Sequence, residues 1–213
     1  MMEIQSCFYK RWQLTWQRGA SKVVLHPRLL RRYLQKALGL IAQSCAQRNS
    51  FTYTNVASSV QMVLQISFCG RSKIRALNRK FRGEDKVTDV LSFPTQKPKW
   101  WRHHQYRLPV LHWGDVVICL PQAAQQAKEH QRSVEAEILY LFLHSWLHLY
   151  GYDHQTLRQT AEMFWQQDQL YAKIIKSGQG LSRNKKSKSK SKLKSKPKPK
   201  PKPKPKPKPK QHH

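Results

Sequence analysis

Residues 143–154 read Leu143-His144-Ser145-Trp146-Leu147-His148-Leu149-Tyr150-Gly151-Tyr152-Asp153-His154. The run into this stretch is apolar. Ile138, Leu139, Leu141, Phe142, Leu143, Trp146, Leu147 and Leu149 leave almost no polar face. Such a helix belongs in the interior of a domain rather than on its surface. Two histidines interrupt it. His144 and His148 are four residues apart, so they stand one turn apart on the same face. Gly151 suits the left-handed position that ends a helix, and the turn after it delivers His154. Three imidazoles can then meet at one point.

A metal ion gives that convergence a chemical reason. Imidazole is a good zinc ligand, and three histidines hold one ion while leaving a fourth tetrahedral position open. The spacing also matches H-E-x-x-H-x-x-G-x-x-H, the pattern of the metzincin proteases. In those enzymes the residue after the first histidine is the glutamate that acts as general base. Here it is Ser145, which is no base at neutral pH. Peptide hydrolysis by that route is not expected. His103, His104 and His112 lack ligand spacing, and the terminal pair His212 and His213 reads as incidental.

The chain has 213 residues, enough for one ordinary domain and a tail. Its formal net charge is +29, from 40 Lys and Arg against 11 Asp and Glu. No acid follows Leu181, yet residues 1–180 remain basic without that segment. A polyanionic partner is implied, with nucleic acid ahead of an anionic membrane. Cys7, Cys45, Cys69 and Cys119 are scattered and form no C-x-x-C, which fits a reducing compartment rather than a disulfide framework. Lys10, Arg11, Gln13, Gln17 and Arg18 break up the first residues, so no signal peptide is expected. No apolar run is long enough to span a bilayer.

In chain order, Trp12, Leu14 and Trp16 alternate as in an edge strand, and Val23–Leu25 reads as a strand end. Pro27 suits the first turn of a helix carrying Leu29, Leu30, Tyr33, Leu34, Ala37, Leu38 and Ile41. Its arginines form a solvated face. Met62, Leu64, Ile66 and Phe68 alternate as a strand. Ser72 is a candidate cap for a short helix that Gly83 closes. Val90–Phe93 and Val116–Leu120 read as further strands. Pro121 opens a helix to about Gln131, Ser133 caps the histidine-bearing helix, and Thr156 caps the last one. Strands and helices alternate, so the expected fold is α+β. Helices pack on a small mixed β-sheet, with a zincin-like three-histidine metal site at the end of a buried central helix.

Two stretches lie apart from this pattern. Between Phe93 and Gly114, Lys97, Lys99, Trp100, Trp101, Arg102, Tyr106 and Arg107 mix aromatics with cations. Such a loop either stacks bases and holds phosphates, or packs its tryptophans on the body. Ser177–Gly180 reads as a linker. This divides the chain into a domain over residues 1–176 and a disordered, basic Lys/Ser/Pro-rich tail over 177–213. The tail can hold polyanions without reading their sequence.

The motifs together resemble a known family. His144, His148, Gly151, Tyr152, Asp153 and His154 are similar to the signature of the YbeY-type endoribonucleases, the bacterial rRNA maturation factors. Asn78 to Pro94, with Phe81, Arg82, Gly83, Asp85, Thr88, Asp89, Leu91, Ser92 and Phe93, resembles a second block. Gly114 to Ile118 resembles a third. The blocks keep their order over roughly residues 60–175. The family usually has glycine where Ser145 stands, and proline is common at Val87.

The resemblance implies a cytoplasmic, zinc-dependent endoribonuclease specific for single-stranded RNA. It would act in rRNA processing and ribosome biogenesis, at the 3′ end of the small-subunit rRNA, with the ribosomal small subunit as partner. It carries the metal ligands onto His144, His148 and His154, and a functional arginine onto Arg82. An Arg82 guanidinium could pair with a phosphate; read without the family, it is a surface residue ending a helix. Asp153 either orients a histidine, accepts a proton or caps a turn. A second reading stays open: a non-catalytic RNA-binding ribosome-assembly factor whose zinc is structural.

Overall fold

The computed structural model describes residues 4–9, 12–18, 22–47, 61–95 and 110–179. The aromatic and basic loop of Lys97–Arg107 and the Lys-Pro tail lie outside the described residues.

Strand β1 spans Ile4–Tyr9 and β2 Trp12–Arg18. Helix α1 covers Pro27–Gln47, β3 Gln61–Cys69, and α2 Arg71–Arg82. Then come β4 at Val90–Pro94, β5 at Val110–Cys119, and α3 at Leu120–Glu129. Helix α4 runs Val134–Leu149 and α5 Leu157–Gln179. The five strands form one mixed sheet in the order β1-β2-β3-β5-β4. The β1·β2 and β4·β5 pairs are antiparallel, while β2·β3 and β3·β5 are parallel.

Alternation decides which helices cover which face. Met62, Leu64, Ile66 and Phe68 point to one side of β3 and join the main core with α1, α4 and α5. On α1 the buried residues Leu30, Leu34, Ala37, Leu38 and Ile41 recur at helical spacing. Leu91, Phe93, Val117 and Cys119 face the other way, against Ile74 and Leu77 of α2. Helix α4 is buried on nearly every side, and packs on α1, α3, α5 and the sheet.

Gly114 fixes how closely the sheet meets α4. A Cβ there would lie 2.8 Å from the Phe93 carbonyl oxygen and 3.0 Å from Leu149 Cδ2. Only glycine lets the β4·β5 pair and the C-terminal end of α4 approach this far.

Several local expectations are corrected. Strand β2 is interior, because Ile4–Tyr9 supplies a partner outside it. Residues Val23–Leu25 form no strand. Gly70, not Ser72, stands before α2, and no side chain caps that end. Strand β5 starts at Val110, well before Val116, and a shift in register near Val63 and Leu64 accommodates Trp113. Helix α5 continues to Gln179, past Ser177 where a linker was expected. Cys7, Cys69 and Cys119 are free and buried. Burial pushes the Cys7 and Cys69 thiols up to about 11, so they are inert. No described helix is long and apolar enough to cross a membrane.

Candidate metal centre

The site is built at the C-terminal end of α4. At the other end, Ser133 Oγ accepts from Ala136 N at 3.2 Å, and Glu135 and Glu137 occupy the first turn. Both carboxylates are buried and partnered. Glu135 accepts from His26 N at 2.7 Å; Glu137 accepts from His130 Nδ1 at 3.1 Å and an Arg132 amine at 3.2 Å. Negative charge at a helix N-terminus is favourable, which helps hold this helix in the core.

At the C-terminal end, Gly151 takes φ +98°, the left-handed region. Tyr152 N donates to the Leu147 carbonyl at 2.9 Å and Gly151 N to the His148 carbonyl at 3.0 Å. This pair of bonds is the Schellman arrangement, and it folds the chain back over the last turn. The reversal brings the Tyr152 carbonyl beside His148 and sends His154 towards both other histidines. Asp153 accepts from His154 N at 2.8 Å, which is a turn-capping role. Thr160 Oγ1 donates to the His154 carbonyl at 3.0 Å and ties the turn to α5.

The three rings converge. Centroids are 4.7 Å apart for His144–His148, 4.9 Å for His148–His154 and 5.8 Å for His144–His154. One ring nitrogen from each lies within 4.8 Å of the others, the one such donor group among the described residues. His144 and His148 are half-buried, and His154 is exposed.

Outer hydrogen bonds set the tautomers. Gln167 is fully buried, and its Nε2 donates to the Tyr140 carbonyl at 3.1 Å. Its Oε1 therefore faces His144 Nδ1, 3.1 Å away, and must accept. The Tyr152 carbonyl likewise accepts from His148 Nδ1 at 3.2 Å. Both Nδ1 atoms hold protons, so both Nε2 atoms carry lone pairs. Those two Nε2 atoms face each other at 3.1 Å with no proton to share. A cation between them turns that repulsion into attraction, and a three-imidazole set is chemistry that suits zinc.

The electrostatics favour the neutral form of His144 and His148. Burial pushes His148 down to about 4, reinforced by His144 and then His154. Burial also lowers His144, against the opposing Gln167 bond. At neutral pH both therefore keep their lone pairs free.

Arg82 is the last residue of α2, exposed, and its charge is among those that lower His144. Gly83 follows at φ +73°, and its N–H donates to the Arg79 carbonyl at 3.2 Å. Asp89 also acts on His144, with the opposite sign. Its carboxylate accepts from Val90 N at 2.8 Å and Gln126 Nε2 at 2.9 Å. Sequence reasoning missed Gln167. The available signal was a glutamine standing between Met163 and Ile174 in the inward stripe of α5, where an apolar residue would be usual.

An α+β domain whose buried helix presents two histidines one turn apart, with a third from the following turn, is of the zincin-like class. The model of the family described as endoribonuclease YbeY matches residues 32–175. The chain belongs to that family. It is 41% identical over 112 residues to the endoribonuclease YbeY of a Sulfurihydrogenibium species, covering 52% of this chain and 69% of that one. It is 38% identical over 121 residues to the protein of that name from Staphylococcus carnosus, covering 57% and 74%. A third, from Clostridioides difficile, is 38% identical over 111 residues, covering 52% and 71%. The shared name of these relatives supports an RNA-cleaving hydrolase.

Proposed function

We propose that this chain is a zinc-dependent endoribonuclease that cuts single-stranded RNA in the cytoplasm. In this reading it acts in ribosome biogenesis, on the 3′ end of the small-subunit rRNA, with rRNA and the small subunit as partners. The observation that carries the proposal is the pair of facing Nε2 lone pairs on His144 and His148, joined by His154.

His144, His148 and His154 would hold one zinc ion. Bound there, zinc supplies a Lewis acid for a phosphate oxygen. The rest falls to the chain. Gln167 and the Tyr152 carbonyl hold the imidazoles in the ligating tautomer. Arg82 binds the phosphate through its paired N–H groups and stabilises charge that develops on it. The basic body draws RNA in without reading its sequence. Ser145 is fully buried, so it takes no proton from a substrate.

The alternative is an RNA-binding assembly factor with a structural zinc. Structural zinc sites normally close with four protein ligands, whereas the donor group among the described residues is three histidines. The deciding experiment is cleavage of a single-stranded RNA by metal-stripped and zinc-restored protein, with the product ends identified. Cleavage that disappears on stripping and returns with zinc is expected. RNA that is bound but never cut would establish the assembly factor instead.

A further inference from the structure

Helix α5 turns an unusual surface towards the mouth of the metal centre. Its inward stripe is Met163, Gln167, Leu170 and Ile174. Phe164 stands beside that stripe, not in it. Its ring centroid is 6.0 Å from that of His144, with planes 32° apart, yet the residue is 41% exposed. His144 in turn lies stacked against His154 at an interplanar angle of 30°. One side of Phe164 therefore faces a candidate ligand while part of the ring remains open to solvent. Leu157 and Phe164 share a face of α5 at i and i+7, and Leu157 is 92% exposed. Thr160, between them, binds the carbonyl of His154, which keeps this face next to the turn that carries the third histidine.

We propose that Phe164 is a stacking platform for a nucleobase of the RNA, the base beside the phosphate that Arg82 and the three histidines address. The inference rests on the RNA-cleaving reading given above and adds how the strand is registered. Charge alone lets a strand slide, because every phosphate looks alike to Arg82 and to the basic body. A flat ring fixed against a ligand gives the strand one place to stop. Stacking asks for a single-stranded base, since in a duplex the neighbouring bases cover both faces. It is also tolerant of base identity, because every base has a π-face. The fit of Phe164 to a base is thus a fit to single-stranded RNA as a class. Its preference should follow stacking strength, purines ahead of pyrimidines.

The test uses the full-length, zinc-loaded protein and short single-stranded RNAs with 2-aminopurine at successive positions. Fluorescence is followed by stopped flow, in the binding phase before any cleavage. The parent protein should quench the probe most strongly at one position beside the cleavage site. Phe164→Leu should lose that quenching and bind on the order of tenfold more weakly, since one base–aromatic stack is typically worth that much or more. Phe164→Tyr should restore both. Position-specific quenching that persists in Phe164→Leu overturns the proposal. So does a Phe164→Leu protein that has lost zinc and regains quenching once zinc is supplied, because Phe164 would then serve the ligand, not the base. Failure of the wider reading looks different: a parent protein that quenches through Phe164 but cuts nothing is a binder with a base platform. A parent protein that cuts RNA, with quenching indifferent to residue 164, is a nuclease without one.

Discussion

The Gln167 side chain holds two points one turn apart on α4: its Oε1 lies 3.1 Å from His144 Nδ1 while its Nε2 donates to the Tyr140 carbonyl at 3.1 Å. The carbonyl bond fixes which way the amide points. The amide then fixes which nitrogen of His144 is free. A buried glutamine on one helix thereby orients a candidate ligand on another.

Removing that constraint should cost metal affinity. Gln167→Leu keeps the volume but leaves His144 Nδ1 without its side-chain acceptor and the Tyr140 carbonyl without its side-chain donor. Partners of this kind typically contribute about ten- to a hundredfold in affinity. Chelator competition should show zinc held at least about tenfold more weakly, and a dissociation constant equal to the parent's would remove Gln167 from the site.

Ser145 makes a prediction of the opposite sign. Its Oγ is buried, with no hydrogen-bond partner among the described residues. An unsatisfied buried hydroxyl costs about 1–3 kcal/mol. Ser145→Ala should therefore leave zinc content and RNA cleavage unchanged while raising stability, by about 1 kcal/mol in urea unfolding. A drop in cleavage with zinc retained would assign the hydroxyl a part in the reaction that its burial argues against.

Gly114→Ala should be destabilising without touching a ligand. The new Cβ meets a backbone oxygen at 2.8 Å, and that oxygen cannot swing away as a side chain would. The strand pair or Leu149 must shift, at a typical cost of about 1–3 kcal/mol for overpacking. Thermal unfolding of the zinc-loaded protein reads this directly; an unchanged midpoint would mean the sheet edge is softer than its contacts indicate.

Tyr140 gives the fold an alkaline limit. Burial raises its hydroxyl to about 12, helped by Asp168, which accepts from it at 3.3 Å. The folded state keeps the proton that an unfolded tyrosine loses near pH 10. The contribution is thus fully present below pH 10 and is lost as pH rises towards 12. Tyr140→Phe has no such proton. Urea unfolding at pH 9 and at pH 11.5 should show a smaller loss for the variant than for the parent; parallel losses would place the alkaline sensitivity elsewhere.

The ligand set and the helix that carries it were legible because both rest on local rules. Spacing of four along a helix, an apolar run and a glycine at its end are all properties of consecutive residues. The same holds for α1, β3 and the Ser133 cap. What was not legible depends on pairing across the chain. Whether Trp12–Arg18 is an edge strand depends on Ile4–Tyr9, and its own alternation is silent about that. Strand β5 extends back to Val110 because Gln61–Val63 of β3 offers it a ladder. Gln167 has meaning only once α5 lies against α4. Glu135 and Glu137 stand in the first turn of α4, but their burial is made tolerable by His26, His130 and Arg132, which no spacing rule ties to them.

Arg82 carries the sharpest prediction about the reaction. Three facts bear on it. It ends α2, so its position is fixed by the left-handed Gly83 and the backbone bond to Arg79, not by a mobile loop. It is exposed, and the residue is free to meet a polyanion at the surface. Its charge reaches His144, so whatever phosphate sits at the histidines feels it too. Arg82→Ala should keep zinc and fold, since the side chain supports neither core nor ligand. It should lose most RNA cleavage, because removing one donor to developing charge typically costs about a hundredfold or more in rate. Arg82→Lys should recover only part, since an ammonium is a point charge and cannot make the paired contact of a guanidinium. Single-turnover cleavage of one single-stranded RNA by the three proteins, each with its zinc measured, separates these outcomes. If Arg82→Ala cuts as fast as the parent, the phosphate is held by another cation. If all three hydrolyse a peptide and leave RNA intact, the assignment of this site to RNA chemistry is wrong.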